Sequence, residues 1–259
     1  HLTDNTILIT GGASGIGLAL AQELSALGNK VIVAGRSKEK LKAAAGLGLI
    51  TFTADLNNPE SIQELAANVT REFPTLNTVI HSAGIMVNEN LLSGDNKKTQ
   101  LDTIATNVTA TLLLTEALLP HFKKQKSATI VTVTSGLAYA PFTMTPTYCA
   151  TKAAIHSYTQ SLRYQLKDTA IQVIEMVPPY VQTTLMGERQ ANDPMAMPLK
   201  EYIAETLSIL KTQPDVQEIL VERVLPQRTS SDHGQEHYQT FFKTMNERLW
   251  DARREEFPR

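Results

Sequence analysis

A tyrosine and a lysine stand four residues apart, at Tyr148 and Lys152, in the stretch TPTYCATKAA that spans residues 145–154. On a helix, side chains with this spacing lie one above the other, about 5–6 Å apart. A nearby ammonium favours the phenolate and lowers a phenol pKa that is about 10 when unperturbed. A tyrosine in that state can donate a proton to a carbonyl oxygen or accept one from an alcohol. The pair is a candidate for proton transfer, and two polar residues on one helix face are the alternative.

A glycine-rich stretch, TGGASGIG, follows the first predicted strand, and its Gly11, Gly15 and Gly17 lead into an apolar helix. Backbone without side chains can come close to a pyrophosphate, and the amino terminus of the helix supplies free N–H groups and a partial positive charge. A glycine-rich turn without a ligand is the alternative. The position of the stretch, at the first joint between strand and helix, favours a dinucleotide site.

The end of the second predicted strand, VIVAGRSKEK, indicates which dinucleotide binds. An acid at this point usually bonds the ribose 2′-hydroxyl of NAD, whereas an arginine accommodates the 2′-phosphate of NADP. Gly35 occupies the acid's position, with Arg36 and Ser37 beside it. A guanidinium can hold a phosphate by two parallel hydrogen bonds, and the adjacent hydroxyl adds a donor. We therefore expect NADP(H) as the cofactor, with a solvated arginine as the alternative.

Other polar residues carry weaker signals. Asp55, in TADLNNPE, either bonds an adenine amine or caps the following turn, and the sequence does not choose between the two. The six histidines show no metal-ligand spacing, so we expect no metal site. Cys149 follows the tyrosine and is expected to be a packing residue.

The elements that must position these residues are short apolar runs alternating with longer helical patterns. The runs are nearly continuous in apolar residues, as expected of strands buried on both faces of a parallel sheet. The predicted strands are residues 6–10, 30–34, 49–53, 77–82, 128–134, 171–177 and 218–224. The predicted helices are residues 15–27, 37–44, 59–73, 97–124, 147–167 and 199–212. This alternation predicts an α/β fold: a single Rossmann-type domain with a doubly wound parallel sheet of about seven strands and helices on both faces.

Two regions do not follow the alternation of predicted strands and helices. Residues 185–198, LMGERQANDPMAMP, carry turn-forming residues and three methionines, which predicts a loop. Residues 236–252 space apolar side chains at helical intervals, which predicts a terminal amphipathic helix. No linker or low-complexity tract divides the chain, so we expect one domain over residues 1–259.

Composition excludes several classes of function. Lysine and arginine number 24 against 26 acidic residues, a formal charge of −2, and they are scattered, which argues against a nucleic-acid binder. The longest apolar stretches fall short of the roughly 18 residues that span a bilayer, and the amino end lacks the pattern of a signal peptide. With a single cysteine, the chain is expected in the cytoplasm, acting on small molecules.

Six short stretches occur in an order that resembles the short-chain dehydrogenases/reductases over roughly residues 4–185. They are TGGASGIG, DL at 55–56, AG at 83–84, TNVTA at 106–110, VTSG at 133–136 and YCATK at 148–152. The resemblance implies a Rossmann-type oxidoreductase that transfers hydride between a nicotinamide cofactor and a carbonyl or alcohol.

The resemblance also implies roles for four catalytic residues. Tyr148 matches the general acid/base of the family, and Ser135 matches the serine whose hydroxyl holds the substrate carbonyl. Lys152 matches the lysine that bonds the nicotinamide ribose and lowers the tyrosine pKa. Asn107 matches the asparagine that positions a water in the proton relay.

The cofactor contacts predicted from the residues and from the resemblance lie along the whole chain. Val181 and Thr183 match the positions that fix the nicotinamide carboxamide. The full set is Gly11, Ser14, Gly15, Ile16, Gly17, Arg36, Ser37, Asp55, Leu56, Ala83, Gly84, Asn107, Tyr148, Lys152, Pro178, Val181 and Thr183.

Three features differ from the usual sequence pattern of the family or indicate a subgroup or a type of substrate. His81 and Ser82 stand where two asparagines are usual, and we expect His81 to be structural. Pro179 stands where most members have glycine, and this double proline is similar to the bacterial DltE-like oxidoreductases. The methionine-containing loop 185–198 matches the family's substrate lid, which would suit bulky ketones.

We therefore predict that the chain reduces a ketone or aldehyde with NADPH. The alternative from another class is an NADP(H)-binding sensor or scaffold without turnover. The long helices at 97–124 and 147–167 resemble those that pair between subunits in the family, so a homodimer or homotetramer is expected.

Overall fold

A sheet of seven parallel strands forms the centre of the molecule, for which a computed structural model describes residues 2–257. The strands are β1 (Thr6–Thr10), β2 (Lys30–Gly35), β3 (Ile50–Thr53), β4 (Leu76–His81), β5 (Ala128–Val133), β6 (Ile171–Val177) and β7 (Glu218–Leu220). Their order in the sheet is β3-β2-β1-β4-β5-β6-β7. The order reverses between β1 and β4, and ligands of such sheets bind in the crevice at this reversal, beyond the carboxyl ends of the strands.

Helices cover both faces of the sheet. They are α1 (Gly15–Ala26), α2 (Lys38–Gly46), α3 (Pro59–Glu72), α4 (Lys97–Ile104), α5 (Ala110–Phe122), α6 (Pro146–Gln165), α7 (Glu188–Asn192), α8 (Leu199–Thr212), α9 (Leu225–Arg228) and α10 (Gln235–Arg253). Residues of α1, α2 and α8 pack in one apolar cluster, and residues of α3, α5 and α6 pack in a second cluster. The predicted doubly wound sheet is confirmed. Within residues 2–257, every helix is too short or too polar to cross a lipid bilayer.

Strands in this sheet have continuous apolar runs because each strand contributes side chains to both apolar clusters. Along β1, Ile7 and Ile9 join the cluster under α1, whereas Leu8 joins the cluster under α5. Successive side chains of a strand point to opposite faces, so a strand covered on both sides needs apolar residues at every position. All five residues of β1 are buried.

Three predicted boundaries differ from the structure. The helix predicted over 97–124 is interrupted by a π-helical turn at Ala105–Thr109, between α4 and α5. The strand predicted over 218–224 stops at Leu220, and Glu222–Val224 form a 3₁₀ turn. The segment 185–198 contains the short helix α7, and Gln182 and Met197 are joined by a backbone hydrogen bond of 2.9 Å.

Candidate active site

The turn between β1 and α1 packs against the chain that follows β4. Gly11 has a φ of +67°, and a Cβ added to it would lie 2.7 Å from the Cα of Ala83. A Cβ added to Gly17 would lie 2.6 Å from the carbonyl oxygen of Gly11. Only glycine fits at these two positions, because the obstructing atoms belong to the backbone. The turn therefore leaves the amino terminus of α1 facing the crevice between β1 and β4.

A long cleft with about 1010 Å³ of empty space runs along this crevice. Thirteen of the residues predicted from the sequence line it. They are Gly11, Ser14, Gly15, Ile16, Gly17, Ala83, Gly84, Ser135, Tyr148, Lys152, Pro178, Val181 and Thr183. The cleft thus extends from the glycine turn to Tyr148 and Lys152.

Tyr148 lies buried near the amino end of α6, and its side chain is hydrogen-bonded to Ser135. Burial raises the pKa of Tyr148 well above its usual value, the nearby Cys149 side chain raises it further, and the Ser135 bond acts in the opposite direction. This direction is opposite to the lowering expected from a neighbouring lysine. The phenol is therefore held in its protonated form, ready to donate.

Lys152 lies one turn further along α6, with Nζ 5.5 Å from the centre of the Tyr148 ring. Nζ donates a hydrogen bond of 2.7 Å to the carbonyl oxygen of Val133, at the end of β5. Burial lowers the pKa of Lys152 to about 8. The ammonium is thus oriented by the carbonyl of β5 and lies beside the tyrosine without direct contact with its hydroxyl.

Asn107 does not line the cleft but supports its floor. Its Oδ1 accepts a hydrogen bond from the N–H of Ile85, and its Nδ2 donates to the Ile85 carbonyl oxygen, both at 2.9 Å. Nδ2 also donates to Thr151 Oγ1 at 3.1 Å, which connects the π-helical turn to α6. A Cβ added to Gly84 would lie 3.5 Å from Asn107 Oδ1 and 3.7 Å from Lys152 Nζ. The amide is therefore close to both the lysine and the cleft.

The residues predicted to bind the adenosine end lie outside the cleft lining. Arg36 is exposed, and its Nη1 lies 3.9 Å from Asp55 Oδ1. Ser37 caps α2 by accepting a hydrogen bond of 3.3 Å from the N–H of Lys40. Asp55 Oδ1 accepts a hydrogen bond of 3.0 Å from the N–H of Asn57, so its carboxylate caps the turn. Of the two interpretations that the sequence left open for Asp55, the capping contact is present.

Leu56 and Lys40 lie at positions that differ from the sequence prediction. Leu56, a predicted contact, is buried in the apolar cluster below α5 and lies beside a small neighbouring cavity instead of the cleft. Lys40, which the sequence analysis did not select, does line the cleft. Its place in the first turn of α2, three residues after Ser37, was the signal that could have identified it. Lys40 adds a positive charge to the cleft lining.

His81, at the end of β4, is buried, and its Nε2 lies 3.0 Å from Thr115 Oγ1 on α5. Burial lowers the pKa of His81 to about 4, so the ring is neutral near neutral pH. Ser82 lines the cleft beside Ala83. The histidine therefore connects the strand to the helix below it, while the serine faces the crevice.

Gln190, on α7, is a residue that the sequence analysis missed. Its Nε2 donates to the carbonyl oxygen of Val181 at 2.9 Å and to Thr183 Oγ1 at 3.1 Å, and its Oε1 accepts from the N–H of Met186. The buried amide thus holds together the two residues predicted to contact the nicotinamide carboxamide. A polar residue in a short helix carries no distinctive pattern, so the sequence offered no signal for it.

A second pocket, with about 590 Å³ of empty space, opens from the cleft at Ser135 and Tyr148. Its apolar wall comes from several distant parts of the chain. The wall includes Met86, Leu137, Phe142, Leu185, Met186 and Leu249. Gln227 and Arg253 are polar residues in this wall that the sequence analysis did not select. The pocket is the natural place for a substrate, because it meets the cleft at the predicted proton donor.

Only one of the three loop methionines lines this pocket. Met186 does so, whereas Met195 is half exposed and Met197 is buried in the apolar cluster under α8. Met197 is drawn into the core because its backbone forms a bridge with Val181. The expectation that these methionines together form a substrate surface is therefore wrong for Met195 and Met197.

A further polar cluster lies on β6, away from the substrate pocket. The ligand-capable atoms of His156, Glu175 and Glu218 lie within 4.8 Å of one another. Glu175 is fully buried and accepts hydrogen bonds from Thr134 at 2.6 Å and from the Tyr139 hydroxyl at 3.2 Å. The sequence spacing of the histidines did not indicate this group, because its members meet only through the sheet. Arg228 bonds Glu218 at 2.9 Å, so a cation already neutralises this carboxylate.

The comparisons with known proteins agree on one family. The family model described as short chain dehydrogenase matches residues 5–194. An uncharacterized oxidoreductase, DltE of Bacillus subtilis strain 168, is 39% identical over 251 residues, covering 95% of this chain and 98% of that protein. A short-chain dehydrogenase from Sphingobium yanoikuyae, solved in complex with NADPH, has a TM-score of 0.77 at 24% identity, covering 89% of this chain and 93% of that one. The closed form of a serine dehydrogenase complexed with NADP+ has a TM-score of 0.73 at 24% identity, covering 82% and 93%.

Proposed function

Because this chain belongs to the short-chain dehydrogenase family and is an oxidoreductase, we propose that it reduces a ketone or aldehyde to an alcohol with NADPH as the hydride donor. The proposal rests on the place where the long cleft and the apolar pocket meet. Ser135 and Tyr148 line both the long cleft and the apolar pocket. A carbonyl group at this junction would lie between a cofactor in the cleft and a proton donor in the wall.

The cleft has the features that a dinucleotide requires. The backbone packing at Gly11 and Gly17 leaves no room for a Cβ, which keeps the amino terminus of α1 open to a pyrophosphate. Ser14 is the N-cap residue of α1, and its hydroxyl caps no N–H of the helix. NADPH would supply the hydride that adds to the carbonyl carbon. Val181 and Thr183, held by Gln190, would bind its carboxamide, and Lys152 its ribose.

The choice of NADPH over NADH rests on the charges at the end of β2. Arg36 is exposed, and its ion pair with Asp55 is long, with 3.9 Å between Nη1 and Oδ1, so its guanidinium can also bind a phosphate. Lys40 lines the cleft one helical turn later. Two cations and no acid at the position that would bond a 2′-hydroxyl favour a 2′-phosphate. Solved proteins of the same fold hold NADPH in one case and NADH in another, so the choice rests on these charges.

Proton transfer follows from the state of the tyrosine. Burial keeps the Tyr148 phenol protonated, so it can donate its proton to the carbonyl oxygen as negative charge develops there. The Ser135 hydroxyl, bonded to the phenol, would donate to the same oxygen and orient it. Lys152 would then return a proton to the tyrosine through a water that the Asn107 amide positions. The reverse reaction would use the same groups in the opposite order.

Replacing Tyr148 with phenylalanine tests the proposal against an NADP(H)-binding sensor without turnover. We expect kcat for reduction to fall by about 100- to 10,000-fold, the usual contribution of a general acid, while NADPH affinity is retained. Tyr164→Phe, on the exposed face of the same helix, is the matched control. The measurement is NADPH oxidation against a panel of ketones and aldehydes. NADPH binding without oxidation by any member of the panel would support the sensor and contradict the enzyme.

We also propose that the chain assembles as a homodimer or homotetramer through its long helices. Leu101 and Ile104 on α4 and Tyr164 on α6 are exposed, and apolar residues on helices of this kind are suited to pairing with a second copy. Light scattering coupled to gel filtration measures the mass directly. A monomer at micromolar concentration would contradict this assembly.

A further inference from the structure

Arg253 is a charged residue buried in the wall of the apolar pocket. It is the last residue of α10, and only 6% of its surface is exposed. It lies in the same pocket as Ser135 and Tyr148. An arginine keeps its positive charge at any ordinary pH, so this pocket contains a permanent cation.

The guanidinium rests on aromatic and sulfur groups. Its central carbon lies 4.5 Å from the centre of the Tyr180 ring and 5.8 Å from that of Phe142, and Nη1 lies 3.8 Å from the sulfur of Met186. These contacts support the group, and among the described residues they supply no oxygen acceptor for its N–H groups. Cation–π contacts stabilise a charge only partly compared with a hydrogen-bonded anion.

The nearest carboxylate is already engaged elsewhere. Asp193 Oδ2 lies 3.8 Å from Nη2 of Arg253, beyond hydrogen-bond distance, and accepts a hydrogen bond of 3.0 Å from the Tyr180 hydroxyl. Its Oδ1 accepts a hydrogen bond of 2.8 Å from the N–H of Met195. Among residues 2–257, no oxygen accepts a hydrogen bond from the Arg253 guanidinium. The ion pair with Asp193 is long, and a buried charge without a hydrogen-bonded partner is costly, so the guanidinium can gain from an anionic ligand.

Arg253 is not needed to attach α10 to the rest of the molecule. Arg189, on α7, donates to the carbonyl oxygen of Ala252 and pairs with Glu256, so the end of the helix is already held there. Further back on α10, Asn246 bonds the backbone of Thr143 and Pro141. The position of Arg253 inside the pocket therefore serves a purpose other than docking the helix.

We propose that Arg253 binds a carboxylate of the substrate, so that the preferred substrates are oxo acids with an apolar body. This inference rests on the proposed function, since it names the class of carbonyl compound reduced. The apolar wall contacts the body of the substrate while its two ends meet Arg253 and the pair Ser135 and Tyr148. Hydride from NADPH forms the new C–H bond at the carbonyl carbon, and the Tyr148 proton forms the O–H bond. The products are NADP+ and a hydroxy acid whose carboxylate is unchanged.

Pairs of acids and methyl esters test this recognition. We would measure kcat/KM for benzoylformate, levulinate and acetoacetate, each against its methyl ester, because the two members of a pair share a carbonyl and differ in charge. The wild type should prefer at least one acid over its ester by about tenfold or more, since a hydrogen bond to a charged group is stronger than one between neutral groups. Equal values for acid and ester in all three pairs would overturn the proposal.

Variants separate recognition from a structural role. Arg253→Gln should lower kcat/KM for the preferred acid by about tenfold or more and leave its ester within about threefold. Arg253→Lys keeps the charge and should retain part of the preference. Arg254→Gln, the exposed neighbour, is the control and should change neither value. An equal loss for acid and ester in Arg253→Gln and Arg253→Lys, with wild-type NADPH affinity, would mean that the arginine only braces the pocket.

Direct binding distinguishes this inference from the proposed function. If no carbonyl compound, acid or ester, is reduced, the proposed function fails. Calorimetric titration of the NADP+-loaded protein with phenylacetate, which has no carbonyl to reduce, then decides the anion site by itself. Binding that is lost in Arg253→Gln would support the site, and no binding to the wild type would overturn it.

Discussion

Replacing His81 with asparagine is expected to remove a pH-dependent part of the stability of this protein. The unfolded chain binds a proton at this histidine with a pKa near 6.5, whereas burial lowers the pKa to about 4 in the folded state. Between these values only the unfolded state gains the proton, so acid favours unfolding. The stabilising contribution is complete above pH 6.5 and is lost as the pH falls towards 4. Asparagine keeps a partner for Thr115 but does not titrate in this range.

The magnitude follows from the two pKa values. Between about pH 7.5 and about pH 5, protonation of the unfolded state should cost the wild type about 2 kcal/mol that the asparagine variant does not lose. Urea unfolding followed by circular dichroism at both pH values gives the two free-energy differences, and comparing the proteins cancels all other titrating groups. His237→Asn, an exposed histidine, is the control. If wild type and His81→Asn lose the same free energy within about 0.5 kcal/mol, His81 is not held neutral by burial.

Three further changes test the cleft. Arg36→Asp should reduce the ratio of kcat/KM for NADPH to kcat/KM for NADH by about tenfold or more, because an acid repels the 2′-phosphate. An unchanged ratio would mean that Arg36 is only solvated. Because burial lowers the pKa of Lys152 to about 8, kcat for reduction should fall as the pH rises through that value and the ammonium is lost. A pH profile of kcat that stays level to about pH 9.5 would contradict a role for the charged lysine. Gly11→Ala should weaken NADPH binding and lower the unfolding free energy by about 1–3 kcal/mol, because the new Cβ would lie 2.7 Å from the Cα of Ala83. Fluorescence titration with NADPH and urea unfolding measure the two effects, and wild-type values in both would show that the turn can relax.

The sheet could be predicted because its signal is local. Strands covered on both faces need uninterrupted apolar runs, and such runs are visible in six to seven neighbouring residues. The end of β7 was missed because Val221 and Val224 are buried in the 3₁₀ turn as they would be in a strand. The π-helical turn at Ala105–Thr109 was missed because it lies directly between α4 and α5, with no glycine or proline to mark it.

The residues proposed for proton transfer could be located in the sequence because they lie in short motifs, whereas the apolar pocket could not. Gln227, Leu249 and Arg253 reach the pocket from the last part of the chain. Asn246 contacts the backbone of Thr143 across 103 positions of sequence. No periodicity or residue spacing in the sequence indicates a contact between residues so far apart in the chain.

Helix α10 has a consequence for how this enzyme can change. It contributes no strand to the sheet, and the family model that covers the proton-transfer residues ends at residue 194, well before the helix begins. Mutations in α10 therefore alter the pocket wall without disturbing the strands that support the cleft. If the proposed function holds, substrate choice can therefore diverge in a segment separate from the cleft. In protein engineering, replacing residues 235–257 with the equivalent of a relative would change this wall and keep the sheet.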